Sequence, residues 1–145
     1  MNSDLTVALH VMGFLTACGG KAVTSEILAQ TYGTNAVVVR RVISRLNKAG
    51  LVQTRRGSGG GSALARTAAS INLRQIFEAV SATDSPELLR RHPGKESPVA
   101  EVLAGFINDF YSEAEEALLQ RFESVTIEEM DQAVRPKILA SLHDI

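Results

Sequence analysis

Gly33 and Gly50 bracket the run TNAVVVRRVISRLNKA, and a second set of glycines, at 57, 59, 60 and 61, follows within LVQTRRGSGGGSALAR. Glycine ends helices because it takes the left-handed conformation without steric cost. The bracketed run therefore holds one short helix, with Thr34 or Asn35 as its N-cap. Val39, Val42, Ile43 and Leu46 recur at three-four spacing and share one face, while Arg40, Arg41, Ser44, Arg45 and Lys48 lie on or beside the other. Its β-branched valines disfavour an isolated helix, so the element must pack against a larger body.

The flanking segments say what that body is. VTSEILAQTYG reads as a shorter helix with Thr24 as N-cap, Val23 and Leu28 as a hydrophobic staple, and Gly33 as its stop. Before it, Leu5 to Cys18 is apolar almost all round and reads as a central helix ended by Gly19-Gly20. Its LTAC ending resembles a lipobox, but MNSD supplies one Asp and no basic residue where a secretory signal needs a basic region. The run is also too short to span a bilayer, so a buried core helix and no membrane partner are expected. After the basic helix, LVQT and SALA flank the glycines as a two-stranded hairpin.

SINLRQIFEAVSA is a further helix, with Asn72 as cap and Ile71 and Ile76 as a staple. DSPELLRRHPGKESP, residues 84–98, concentrates prolines and reads as a linker. Ser97-Pro98 then opens a long helix with an apolar stripe at Val99, Val102, Leu103, Phe106, Ile107, Phe110, Ala114, Ala117, Leu118 and Phe122. Thr126 with Glu129 makes a capping-box signature for a last short helix, which Pro136 is expected to break. The expected fold is mainly α with a small β-hairpin wing: a winged helix-turn-helix over 1–83, a linker over 84–98, and a helical dimerisation region over 99–145.

The chain has 145 residues, one domain's worth, and its 45% hydrophobic content suits a globular protein. The net charge of −1 hides an asymmetry. From Ile27 to Phe77 there are eight Lys or Arg and no acid; from Glu78 onward there are fourteen acids against six bases. One half is built to face a polyanion and the other is not. In a winged helix-turn-helix the second helix enters the major groove while the wing lays amides and arginines on phosphates. A phosphate-binding enzyme loop is the rival, but a Walker loop ends in Gly-Lys-Ser/Thr and this one in Gly61-Ser62-Ala63. A dinucleotide loop opens a helix, whereas strand-like residues follow here. No catalytic residue emerges, and an enzyme is not expected.

The stretch GTNAVVVRRVISRLNKAGLVQTRRGSGGGSALA resembles the Rrf-two family of bacterial winged-helix regulators, which includes CymR, IscR and NsrR. TNAVVVRRVISRL with SPVAEVL and EAEEALL is most similar to its YwnA-like branch. The resemblance runs from about Leu5 to Met130 and implies a cytoplasmic, homodimeric, sequence-specific DNA-binding regulator, a repressor acting on an inverted-repeat operator. It implies base contacts at the start of the recognition helix, by position Asn35, Val37, Val38, Arg40 and Arg41. Thr34, Ser44, Arg45, Arg55, Arg56 and Ser58 complete the expected DNA-binding set. Cluster-binding members carry three cysteines before the long helix; here HPGKESPV has Ser97 and no cysteine, so those ligands are missing. The family's wing ends its glycines with an aromatic, and here Ser62 stands there.

Each site has a blander alternative. The arginines are base contacts or phosphate contacts only. The wing is a DNA contact or merely a flexible hairpin, and the whole module binds DNA or only protein. Dimerisation is expected through Val99, Val102, Leu103, Phe106, Ile107, Phe110 and Leu118, the alternative being that the stripe folds back on its own domain. Cys18, the single cysteine, is a redox sensor or a buried core thiol. Phe106, Phe110 and Tyr111 line an effector pocket or simply belong to the core or the dimer interface. His10, His92 and His143 lack partners at metal-ligand spacing, so no metal and no cofactor are expected.

Overall fold

The structure is a computed structural model that describes residues 3–81 and 97–143. Most of the expected linker, residues 84–96, lies outside the described residues, as does His92. Among the described residues six helices and one hairpin follow in order: α1 (Ser3–Ala17), α2 (Ser25–Tyr32), α3 (Ala36–Lys48), β1 (Val52–Arg55), β2 (Gly61–Leu64), α4 (Leu73–Ser81), α5 (Pro98–Glu123) and α6 (Ile127–His143). A single 3-10 turn, Ala68–Ser70, separates β2 from α4.

The helix ends follow the local chemistry read from the sequence. The side chains of Thr24, Asn35 and Ser97 accept from the amides of Ile27, Val38 and Ala100, capping α2, α3 and α5. Asn72 and Gln75 bond each other's amides reciprocally at 2.9 Å, and Thr126 and Glu129 do the same at 3.2 Å, forming two capping boxes. Gly33 at φ +82° ends α2 in a left-handed turn, its amide donating to the Ala29 carbonyl.

Packing gathers these elements around α1, whose Ala8, Val11 and Met12 are fully buried. Val39, Val42 and Leu46 of α3 meet them, with Leu28 of α2 and Ile76 and Val80 of α4 closing the same core. Each large apolar side chain so buried contributes roughly 1.5–3 kcal/mol. This core offsets the poor intrinsic helix propensity of the valine run in α3.

β1 and β2 pair antiparallel, Val52 with Leu64 and Arg55 with Gly61 at the two ends. A third segment joins them: the Val23 amide donates to the Ser62 carbonyl at 2.9 Å, and the Ser62 amide to the Val23 carbonyl at 2.8 Å. Ser62, which replaces the expected aromatic, is buried, and its hydroxyl lies 3.3 Å from Thr54 Oγ1. A small residue fits this position because the chain before α2 closes directly over it.

Two features differ from the expectations. α6 runs through Pro136 to His143 and is not broken there. Proline removes one amide, but Gln132 and Pro136 are exposed, so the freed carbonyl lies on the side of the helix that solvent reaches. An Asp131–Arg135 pair at 2.8 Å laces the preceding turn. Further, α6 does not stand apart from the winged helix. Ile127 is fully buried in the main core, and its amide donates to the Ile71 carbonyl at 3.0 Å.

Candidate nucleic-acid interface

The turn at Gly33 places α3 across α2, and burial of Val39, Val42, Ile43 and Leu46 fixes which side of α3 faces out. That outer side carries Asn35, Val37, Arg40, Arg41, Ser44 and Lys48. Val37 is 69% exposed, an apolar side chain with nothing of its own chain to cover it. Val38 differs from expectation: it is half-buried against the core, so it supports α3 from behind. Thr34 is also half-buried, at the turn. Asn35 is exposed, but its Oδ1 accepts from the Val38 amide at 3.0 Å. The cap leaves the Asn35 NH2 as a free donor, whereas bidentate pairing with adenine uses both the oxygen and the NH2.

The arginines of α3 are held by acids from other helices. Arg40 Nη2 donates to Glu26 Oε1 at the start of α2. Arg41 Nη2 and Arg45 Nη1 donate to the two oxygens of Asp4, at 2.6 and 2.9 Å. Arg45 Nη1 also donates to the Val80 carbonyl at 2.9 Å, which draws its side chain inward to 25% exposure. Arg41 keeps half its side chain in solvent. Arg45 therefore ties α3 to α1 and α4, whereas Arg40 and Arg41 remain at the surface. Asp4 is itself largely buried, and sequence reasoning missed it. Its partners lie 37 and 41 residues away, and an acid in the first turn of a helix already has a local explanation in the helix dipole.

On the wing, Arg55, Arg56 and Ser58 are all exposed, and among the described residues neither arginine pairs with an acid. The glycines divide by purpose. Gly57 and Gly59 take positive φ at the tip, with open space around them. A Cβ on Gly60 would lie 2.5 Å from the Arg55 carbonyl oxygen, and one on Gly61 would lie 2.5 Å from the Val23 carbonyl carbon and oxygen. Only the tip pair is thus free to approach a ligand; the other pair is required by the hairpin's own packing.

On α5 the expected stripe splits into two faces. Val99, Val102, Leu103, Phe106 and Phe110 are exposed, Phe106 at 73%, and Leu118 is marginally so. Ile107, Ala114 and Phe122 are half-buried, and Phe122 sets its ring edge-on to Phe77 of α4 with centroids 5.8 Å apart. Phe110 and Tyr111 lie near each other at 6.4 Å on this helix. A separate apolar groove of about 490 Å³ runs between α1 and α6, walled by Leu9, Phe14, Tyr32, Met130 and Val134. Cys18 sits half-buried after the last turn of α1, packed against the core.

A family model described as "Rrf2: Iron-dependent Transcriptional regulator" matches residues 1–133. Bacillus subtilis YwnA, named as an HTH-type transcriptional regulator, is 28% identical over 130 residues, covering 90% of this chain and 96% of that protein. The HTH-type transcriptional regulator IscR of Cereibacter sphaeroides is 34% identical over 77 residues, 53% of this chain and 50% of its own. Among solved structures, CymR, described as the global cysteine regulator of B. subtilis, superposes with a TM-score of 0.71 at 20% identity, over 92% of this chain and 96% of that one. That likeness carries the fold. These matches are regulators and not enzymes, and among the described residues no helix is long and apolar enough to cross a membrane.

Proposed function

The chain belongs to the Rrf2 family of transcriptional regulators, and from that membership we propose that it is a homodimeric repressor reading an inverted-repeat operator. One observation carries the reading. The exposed row of Val37, Arg40, Arg41 and Ser44 on α3 lies in the same acid-free segment as the exposed wing arginines Arg55 and Arg56. Val37 suits a thymine methyl, and Arg40 and Arg41 suit guanine edges or phosphates. Thr34, Asn35 and Ser58 contribute to the backbone contacts around them. Arg45 acts from behind, by holding α3. The site of action is the cytoplasm, where the chromosome of a bacterial cell lies.

Arg40→Ala is expected to lower affinity for the operator more than for random duplex, because a lost bidentate base contact removes about 1–3 kcal/mol of discrimination. Arg56→Ala is expected to weaken both DNAs alike and to flatten the salt dependence by about one unit of slope. Fluorescence anisotropy at several salt concentrations measures both. Equal losses on both DNAs for both variants would show that Arg40 is a phosphate contact only.

The family description names iron, but this chain's donor set does not fit an iron–sulfur cluster. It has one cysteine, half-buried beside the core, and among the described residues no three His, Cys, Asp or Glu side chains are placed to hold a metal. Protein purified without oxygen is expected to be colourless, with no stoichiometric iron or sulfide. A visible absorption band with matching iron content would contradict this.

The dimer is proposed to form through Val99, Val102, Leu103, Phe106 and Phe110, with Leu118 at the edge and Ile107 supporting the helix from its own side. Exposing so many large apolar residues on one helix face marks an interaction surface. Acids at Glu101, Asp109, Glu113 and Glu116 keep this helix away from DNA, with the basic halves turned towards it.

A further inference from the structure

Glu26 suits the dipole at the start of α2, yet it lies on the surface that faces DNA in the function proposed above. It belongs to the first turn of α2, one helix before the recognition helix, and is exposed, as is Arg40. A bond to its own backbone amide holds its carboxyl below the usual range, and the Arg40 charge acts in the same direction against partial desolvation. The group is therefore a carboxylate at neutral pH, close to where phosphates would lie. A bare carboxylate there would repel the duplex, and the helix dipole does not offset that repulsion.

The geometry gives Glu26 a role. A guanidinium has five N–H donors in a planar fork. Glu26 is bonded through Arg40 Nη2, the Arg40 side chain as a whole stays 56% exposed, and exposed Val37 lies one helical turn earlier on α3. A long arginine loses much rotamer freedom on binding, and that loss is reduced when a neighbour already holds it. We propose that Glu26 is a specificity-determining residue that holds Arg40 with its free edge presented to a guanine, while keeping Arg40 from indiscriminate phosphates. The inference rests on α3 being the recognition helix. At the operator the Glu26–Arg40 pair persists and strengthens as water leaves. On random duplex it withholds one cation from the backbone.

These roles predict opposite signs. Glu26→Gln is expected to weaken operator binding roughly three- to ten-fold, as part of the Arg40 base contact is lost. The same variant is expected to bind random duplex of equal length about two-fold more tightly and to steepen its salt dependence by up to about one unit. In an Arg40→Ala background the loss at the operator is expected to vanish, because nothing is left to hold. Tighter binding to both DNAs would reduce Glu26 to a repelling charge and overturn the proposal. Weaker binding to both, with a lowered unfolding midpoint, would make the pair a structural staple and also overturn it, as would no change on either. If Arg40→Ala itself leaves both affinities unchanged, the reading of α3 fails first, a result distinct from any of these.

Discussion

Phe106→Asp is expected to turn the proposed dimer into a folded monomer and to weaken operator binding about a hundred-fold or more. The phenylalanine is 73% exposed in the single chain, so its replacement removes little packing within the protomer. In the proposed two-fold dimer the same ring would meet its partner within the apolar face, where a buried unpaired carboxylate is not tolerated. Operator affinity falls because two linked recognition helices gain about 10²–10⁴ over one through effective concentration. Ile107 and Phe122 provide the contrast on the same helix. Both are half-buried, Phe122 against Phe77, so Asp at either position should destabilise the protomer itself. Sedimentation combined with thermal unfolding separates these outcomes. A Phe106→Asp protein that remains dimeric and binds its operator normally would exclude this face of α5.

Gly61→Ala is expected to cost about 2–4 kcal/mol of stability, adding the strain of a left-handed backbone to a clash within a closed sheet. At φ +139° the new Cβ would meet the Val23 carbonyl at 2.5 Å and its nitrogen at 2.9 Å, atoms that cannot rotate away. Either β2 shifts or the two Val23–Ser62 hydrogen bonds break. A fall of roughly 10 °C in the unfolding midpoint follows. Gly59→Ala is the control, with open space around its Cβ and φ +74°, and should cost only about 1 kcal/mol. Equal midpoints for the two variants would mean that the Val23 bridge does not pin the wing.

Those two sites show where sequence reasoning succeeds and where it stops. The caps at Thr24, Asn35, Asn72, Ser97 and Thr126 were legible because capping acts over three residues, and the sequence displays both partners. The basic hairpin was legible for the same reason, its glycines and arginines lying side by side. The role of Gly61 was not, since the atom it must avoid belongs to Val23, far upstream. Nor was Asp4, whose arginines belong to another helix. Spacing alone makes the α5 stripe a single face, because apolar residues at both inward and outward positions fall near the helical repeat. Only the fold shows that Phe122 packs on Phe77 of α4 and Ile107 is half-buried while Phe106 and Phe110 turn out. Pro136 was read by its local rule, which holds for a buried helix and relaxes where the freed carbonyl reaches water.

Genome-wide footprinting of the bound protein tests the central claim most directly, because it asks both whether the protein reads sequence and with what symmetry. The account predicts a small set of protected sites sharing an inverted repeat, with half-site centres about one helical turn, 34 Å, apart and two protomers on each. Protection spread over the genome without a common sequence, or one protomer on each site, would contradict it.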